Sequence, residues 1–176
     1  MGAVLIVLGA VLGALLLWPR KLTGEAKRSS PEASHEHVDP IYTASGIQEL
    51  IRANAVKYQV DPALFKAVVM VESSFNPYAV NPNDPSYGLC QLTPILAATY
   101  GFVRDWKNPT EAEISFIMRP DVNCQIGARF LGYLVNKYGV EIGVQMYNCG
   151  ETGYKTNGVR VPEYLAKVMR WYDEFR

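Results

Sequence analysis

At 176 residues and 49% hydrophobic, the chain has room for one domain plus appendages and enough apolar side chains to bury a real core. Lys+Arg and Asp+Glu balance at 17 each, which argues against nucleic acid as the main partner, since that role calls for a basic excess or patch. The only histidines, His35 and His37, lie in a polar stretch with no further fixed ligands and read as a solvated pair. Ser-His and Cys-His nucleophiles are thereby removed from the folded part, and no metal or cofactor is called for.

Residues 1–18 form an uninterrupted apolar run followed by Pro19, Arg20 and Lys21. That length fits a transmembrane helix better than a core helix. A signal peptide is the rival, but no Lys or Arg precedes the run and no small-residue cleavage site follows it. Gly9 and Gly13 make a G-x-x-x-G, a spacing that lets two such helices pack closely as a dimer. Residues 19–44 are polar and read as a flexible linker, a coil whose reach is ~25 Å. Arg20, Lys21, Lys27 and Arg28 all follow the span, and the positive-inside rule would keep that side cytoplasmic.

Helical signals then come in quick succession over residues 45–176. Ser45-x-x-Gln48 reads as a capping box opening a first helix, with Ile47, Leu50, Ile51, Ala55 and Tyr58 as its apolar stripe. Asp61 followed by Pro62 caps a second, running to Phe75 before Asn76-Pro77 turns the chain away. Residues 76–90 are crowded with Asn, Pro, Asp, Ser and Gly and read as a long loop. Thr93-Pro94 starts a short helix ending before Gly101, and Thr110-x-x-Glu113 is another capping box. A longer helix runs from Asp121 to Gly139, another from Val140 to about Asn148, and a last one from about Pro162 to Phe175. The loop before the last helix carries Gly150, Gly153 and Gly158. No alternating strand pattern appears, so the expected class is all-α, with an N-terminal transmembrane helix.

One carboxylate stands out. Phe65, Val68, Val69 and Glu72 are spaced i, i+3, i+4, i+7, one face of the second helix, and Leu64, Ala67 and Val71 form an apolar row beside them. Glu72 therefore ends a buried stripe. Either it reaches water at the helix end, or its apolar setting raises its pKa and keeps it protonated, which is what a general acid needs.

Three polar clusters interrupt the apolar text: ESSFNPYAV (72–80), YGLCQLTP (87–94) and QMYNCG (145–150). In this order and spacing they resemble the catalytic domain of soluble lytic transglycosylases, which share a fold with goose-type lysozymes. The family's Glu-Ser falls on Glu72 and Ser73. Its Gly-Leu-Met-Gln falls on Gly88, Leu89, Cys90 and Gln91, its Ala-Tyr-Asn-x-Gly on Met146, Tyr147, Asn148, Cys149 and Gly150, and its late tyrosine on Tyr164. The segment at 123–134 also looks like the family's helix after the second motif, and the likeness covers roughly residues 46–174. Cys90 replaces a methionine, and Met146 and Cys149 stand where alanine is usual.

The resemblance implies a lysozyme-like domain that cleaves the β-1,4 bond between N-acetylmuramic acid and N-acetylglucosamine in peptidoglycan. Glu72 would be the single acid and base, with the C6 hydroxyl of the muramyl sugar as nucleophile, giving a 1,6-anhydro end. Tyr147 and Tyr164 would orient Glu72, and Ser73, Gln91 and Asn148 would bind the substrate. No second carboxylate has a comparable setting; Asp84 sits in a turn-like Asn-Asp-Pro context. Phe75, Tyr78, Tyr87, Phe102 and Trp106 are open to two readings, sugar stacking or core. A lysozyme of the same fold and a non-catalytic glycan-binding module are the rivals. Such a domain would work at the periplasmic face of a bacterial inner membrane, in wall remodelling or a secretion apparatus, or on a bacteriophage particle. With three cysteines at least one is unpaired in a monomer; Cys124 reads as core, and Cys90 and Cys149 as free thiols near the cleft.

Overall fold

The computed structural model describes residues 42–176. The predicted span at 1–18 with Gly9 and Gly13, His35 and His37, and all but the end of the linker lie outside the described residues. Among the described residues no helix is long and apolar enough to cross a membrane.

The described elements are α1 (Ala44–Lys57), α2 (Pro62–Ser73), β1 (Val80–Asn81), β2 (Ser86–Tyr87), α3 (Pro94–Thr99), α4 (Glu111–Met118), α5 (Pro120–Tyr138), α6 (Val140–Cys149), α7 (Glu151–Lys155) and α8 (Pro162–Phe175). The class is thus mostly helical rather than strictly all-α. In the 76–90 segment, Val80 pairs with Tyr87 and Asn81 with Ser86, and Tyr87 also exchanges two 3.0 Å backbone bonds with Leu92. Strands of two residues are too short to show an alternation, so the pattern could not announce them.

Caps explain where the helices start. Thr43, not Ser45, caps α1: its backbone is extended and its hydroxyl accepts from the Gly46 N–H at 3.1 Å, which places Ser45 inside the first turn. Asp61 accepts from the Ala63 N–H at 2.8 Å with Pro62 at the first helical position, and Thr110 and Glu113 complete a reciprocal capping box on α4. α5 begins one residue early, at Pro120. The glycine-bearing loop contains α7, tied down by Glu151, which accepts from Tyr138 and Tyr133 and pairs with Lys137 at 3.3 Å.

α2 ends two residues before the predicted Phe75. Ser74 and Phe75 both take left-handed backbone (φ 52 and 64), a conformation that costs a non-glycine residue free energy and persists only where the surroundings fix it. α5 packs on α1 and α6, and α2 packs on α1 and α8. Phe65, Val68 and Val69 of α2, Leu89 and Leu92 of the loop, and Ile126 and Leu131 of α5 are completely buried in one core. The apolar stripe read from the sequence thus points inward, and it carries Glu72 to the core's edge.

Candidate active site

Glu72 lies in the last turn of α2, against the start of α8. Pro162 opens α8, so Tyr164 stands in its first turn and donates its hydroxyl to Glu72 Oε1 at 2.5 Å. Most of the carboxyl's surroundings are protein, while part of its surface opens into a cleft of about 580 Å³ shared with Asn148, Arg160, Glu163, Tyr164 and Lys167. Burial raises the Glu72 pKa from 4.5 to about 7, and the Tyr164 hydrogen bond opposes that rise only in part. Of the two settings open to Glu72, the geometry matches the second: a largely buried carboxyl, whose burial favours the protonated form. Burial also lifts the phenols of Tyr147 and Tyr164 well above their usual range, so both remain donors.

The remaining predicted residues divide into two groups. Asn148 lines the cleft, and its side-chain amide has no partner among the described residues. Ser73, Gln91 and Tyr147 are instead committed to the protein. Ser73 Oγ lies 2.8 Å from the Leu89 carbonyl and 3.2 Å from that of Val69, pinning the end of α2 to the loop. Gln91 donates to the carbonyls of Ala79 (3.2 Å) and Gly88 (3.0 Å) and accepts from Ser86 Oγ (2.9 Å), holding its own left-handed backbone (φ 48) in a closed turn. Tyr147 donates to the Cys90 carbonyl at 3.1 Å with its ring against Phe130, so among these tyrosines Tyr164 alone grips Glu72.

The residue that organises the loop was not singled out from the sequence. Asn123, in the first turn of α5 and fully buried, accepts from the Cys90 N–H at 2.7 Å. It donates to the carbonyls of Tyr87 at 2.9 Å and Ile117 at 2.8 Å. It packs so closely that a Cβ on Gly88 would come within 2.5 Å of Asn123 Nδ2, which, with φ +75, explains the glycine. Gly127, one turn on, makes room for Cys90: a Cβ there would meet its sulfur at 2.5 Å. The available signal was an amide flanked by the apolar residues Val122 and Cys124, both buried with it.

All three cysteines are free, and the Cys90 thiol faces Cys124 rather than Cys149. Phe75 and Phe102 pack against the core, while Tyr78 is exposed and stacks on Tyr42 with ring centres 5.7 Å apart. Trp106 is partly exposed, and Tyr87 lines a separate hollow of about 440 Å³ with Ile114 and Ser115. Asp84 lies outside the cleft, and the second carboxylate there is Glu163, exposed at the start of α8, a residue the sequence reading passed over. Among the described residues no group of three or more His, Cys, Asp or Glu is placed to hold a metal ion.

Comparison with known proteins places these motifs in a family. The profile described as "Transglycosylase SLT domain" matches residues 49–168, well over half of the chain. The membrane-bound lytic murein transglycosylase C of Photorhabdus laumondii is 37% identical over 93 residues, covering 53% of this chain and 26% of that protein. Its namesake in Edwardsiella ictaluri is 36% identical over 90 residues, covering 51% and 24%. The chain thus spans about a quarter of the length of these relatives. In fold it is similar to the 70 kDa soluble lytic transglycosylase of Escherichia coli, with a TM-score of 0.59 at 20% identity over 73% of this chain and 24% of that one. An inactive mutant of the lytic transglycosylase Slt of Pseudomonas aeruginosa gives a TM-score of 0.50 at 20% identity, over 73% and 21%. The chain belongs to the transglycosylase SLT domain family.

Proposed function

We propose that this domain is a peptidoglycan lytic transglycosylase in which Glu72 serves as both acid and base. The observation that carries the reading is a carboxyl raised to about 7 by burial, bonded by Tyr164 and opening into a cleft. Family membership and the activity named for the relatives support the same activity and the same substrate.

Protonated Glu72 gives its proton to the glycosidic oxygen as the bond from C1 of the muramyl sugar breaks. The resulting carboxylate takes the proton of that sugar's C6 hydroxyl as its oxygen bonds to C1. One C–O bond breaks, one forms, and the proton lost by O6 replaces the one delivered to the leaving oxygen. No water is consumed, and the product is a 1,6-anhydro end. A base of pKa near neutrality is strong enough for the second half and weak enough for the first. Tyr164 holds the carboxyl in place, Asn148 contacts the sugar, and Ser73, Gln91 and Tyr147 shape the wall.

Mass spectrometry of digested peptidoglycan tests this directly. Anhydro ends support the reading, and ends heavier by one water refute it in favour of hydrolysis. The hydrolytic alternative has one observation behind it, since Glu163 supplies the cleft with a second carboxylate that a water-using mechanism needs. Glu163→Gln separates the two: it leaves a transglycosylase active and disables a hydrolase. A module that only binds glycan would release nothing. The substrate puts the domain on the outer side of the inner membrane, anchored through residues 1–18. Protease added to intact spheroplasts should digest it there, and protection would instead favour delivery by a virus particle.

A further inference from the structure

Two cations in the cleft have no part in the chemistry above. Arg160 precedes α8, and its Nη1 donates to the carbonyls of Tyr154 (2.9 Å) and Val159 (2.8 Å) while the guanidinium lies 3.6 Å from the centre of the Tyr154 ring. Those contacts fix the guanidinium plane and engage Nη1. The Nε–Nη2 edge, which can grip a carboxylate with two parallel bonds, makes no bond to a described residue. Lys167 is exposed on α8, one turn beyond Tyr164, and lines the same cleft. Neither cation pairs with a carboxylate among the described residues, where the ion pairs are Arg52–Glu49, Arg119–Asp121 and Lys137–Glu151. With Glu72 protonated, Glu163 is the cleft's one anion against two cations, although the chain as a whole has no net charge.

A glycan strand of alternating hexosamines is neutral except at the lactyl ether of the muramyl sugar, which ends in a carboxyl group or in a peptide that itself carries carboxylates. We infer that Arg160 and Lys167 form an anion subsite that takes a carboxylate of this muramyl substituent and seats the muramyl sugar beside Glu72. The inference rests on the reading of the cleft as a peptidoglycan site. It makes the pair specificity-determining, since a neutral strand of the same sugars would lack the contact.

Binding separates this subsite from the chemistry. Full-length protein carrying Glu72→Gln is titrated with soluble strands bearing peptides, with strands stripped to free lactyl carboxyls, and with both after conversion of their carboxyls to methylamides. Methylamide conversion should weaken binding about tenfold on at least one preparation. Lys167→Gln, on an exposed helix face where the fold is not at stake, and Arg160→Gln should weaken the unconverted strands several-fold and leave the methylamides unchanged. A charge-matched Lys57→Gln, outside the cleft, should do neither. Loss confined to peptide-bearing strands identifies the peptide as the ligand, and loss on stripped strands identifies the lactyl carboxylate. Equal affinity for carboxylate and methylamide strands in both preparations overturns the subsite, as does a variant that weakens both forms alike. Turnover by the Glu72 protein is read separately on the same strands: absence of cleavage refutes the lytic reading without touching the binding result.

Discussion

Replacing Glu72 by glutamine should stabilise the protein above pH 7 while leaving its stability near pH 4 little changed. The unfolded chain's glutamate titrates near 4.5, whereas burial in the native state holds the proton to about 7. Below pH 4.5 both states are protonated, and the neutral carboxyl carries no penalty for its burial. Between the two values the unfolded chain gives up its proton and the native protein does not, so stability falls as pH rises. Above pH 7 the native site ionises as well and the loss is complete. The interval, about 7 against 4.5, corresponds to about 3 kcal/mol at 1.36 kcal/mol per pH unit. Glutamine is neutral throughout and keeps an oxygen for the Tyr164 hydroxyl. Urea unfolding of both proteins at matched pH values from about 4 to about 8 gives the difference curve, in which every other titrating group cancels. It should start from a small constant offset and rise toward 3 kcal/mol in favour of the variant. A flat difference would show that Glu72 is solvated in the native protein, and the argument for a poised acid would fail with it. In the wild type, kcat/KM should decline above pH 7 as the acid is lost, and the variant should release no product.

Tyr164→Phe removes the one bond that lowers the Glu72 pKa, so the alkaline limb of the pH–rate profile should move upward while kcat falls about tenfold. Asn123→Ala deletes the partner of three backbone groups, two of them in buried bonds, and should cost about 3 kcal/mol in denaturant unfolding. Gly127→Ala pushes a methyl group to 2.5 Å from the Cys90 sulfur and 2.7 Å from its Cβ and should cost about 2 kcal/mol; adding Cys90→Ala removes the sulfur contact but not the Cβ contact and should recover only part of that. An additive double mutant would show that Cys90 does not occupy the space Gly127 leaves.

Periodicity exposed the helices because α2, α5 and α8 each bury one stripe, and a buried stripe leaves a 3.6-residue mark in the sequence. It could not place Tyr164 against Glu72, since 92 residues separate them and no local pattern spans that distance. The likeness to a known family supplied that tyrosine, and the packing of α8 on α2 accounts for it. Glu163 escaped notice because an acid in the first turn of a helix is ordinary, favoured there by the macrodipole. Asn123 escaped because a single amide near a helix start reads as punctuation, although its burial makes it a brace. Ser73 and Gln91 were legible as important residues, with loop hydrogen bonding open beside substrate contact, but their acceptors were not. Sequence shows that a donor is present, and only the fold shows which acceptor has taken it.

That commitment of donors bears on the acid itself. A carboxyl is raised to about 7 chiefly by dry surroundings, yet the wall beside Glu72 includes a loop dense in backbone N–H and carbonyl groups. Left unpaired, those groups would need water, and water would solvate the carboxylate and restore its ordinary pKa. Ser73 takes the Leu89 carbonyl, Gln91 those of Ala79 and Gly88, Tyr147 that of Cys90, and Asn123 the Cys90 N–H and the Tyr87 carbonyl. Among the described residues no buried side-chain nitrogen or oxygen is left without a partner. The polar motif residues thereby make one side of Glu72 effectively apolar without using apolar side chains. The donors that the loop does not engage lie on the open side, on Asn148, Arg160 and Lys167, where the proposed substrate contacts would fall. A variant that empties Asn123 should for this reason lower the Glu72 pKa as well as the stability, so its pH–rate profile should fail at a lower pH than the wild type's. A structural role confined to holding the loop would leave that midpoint where it is.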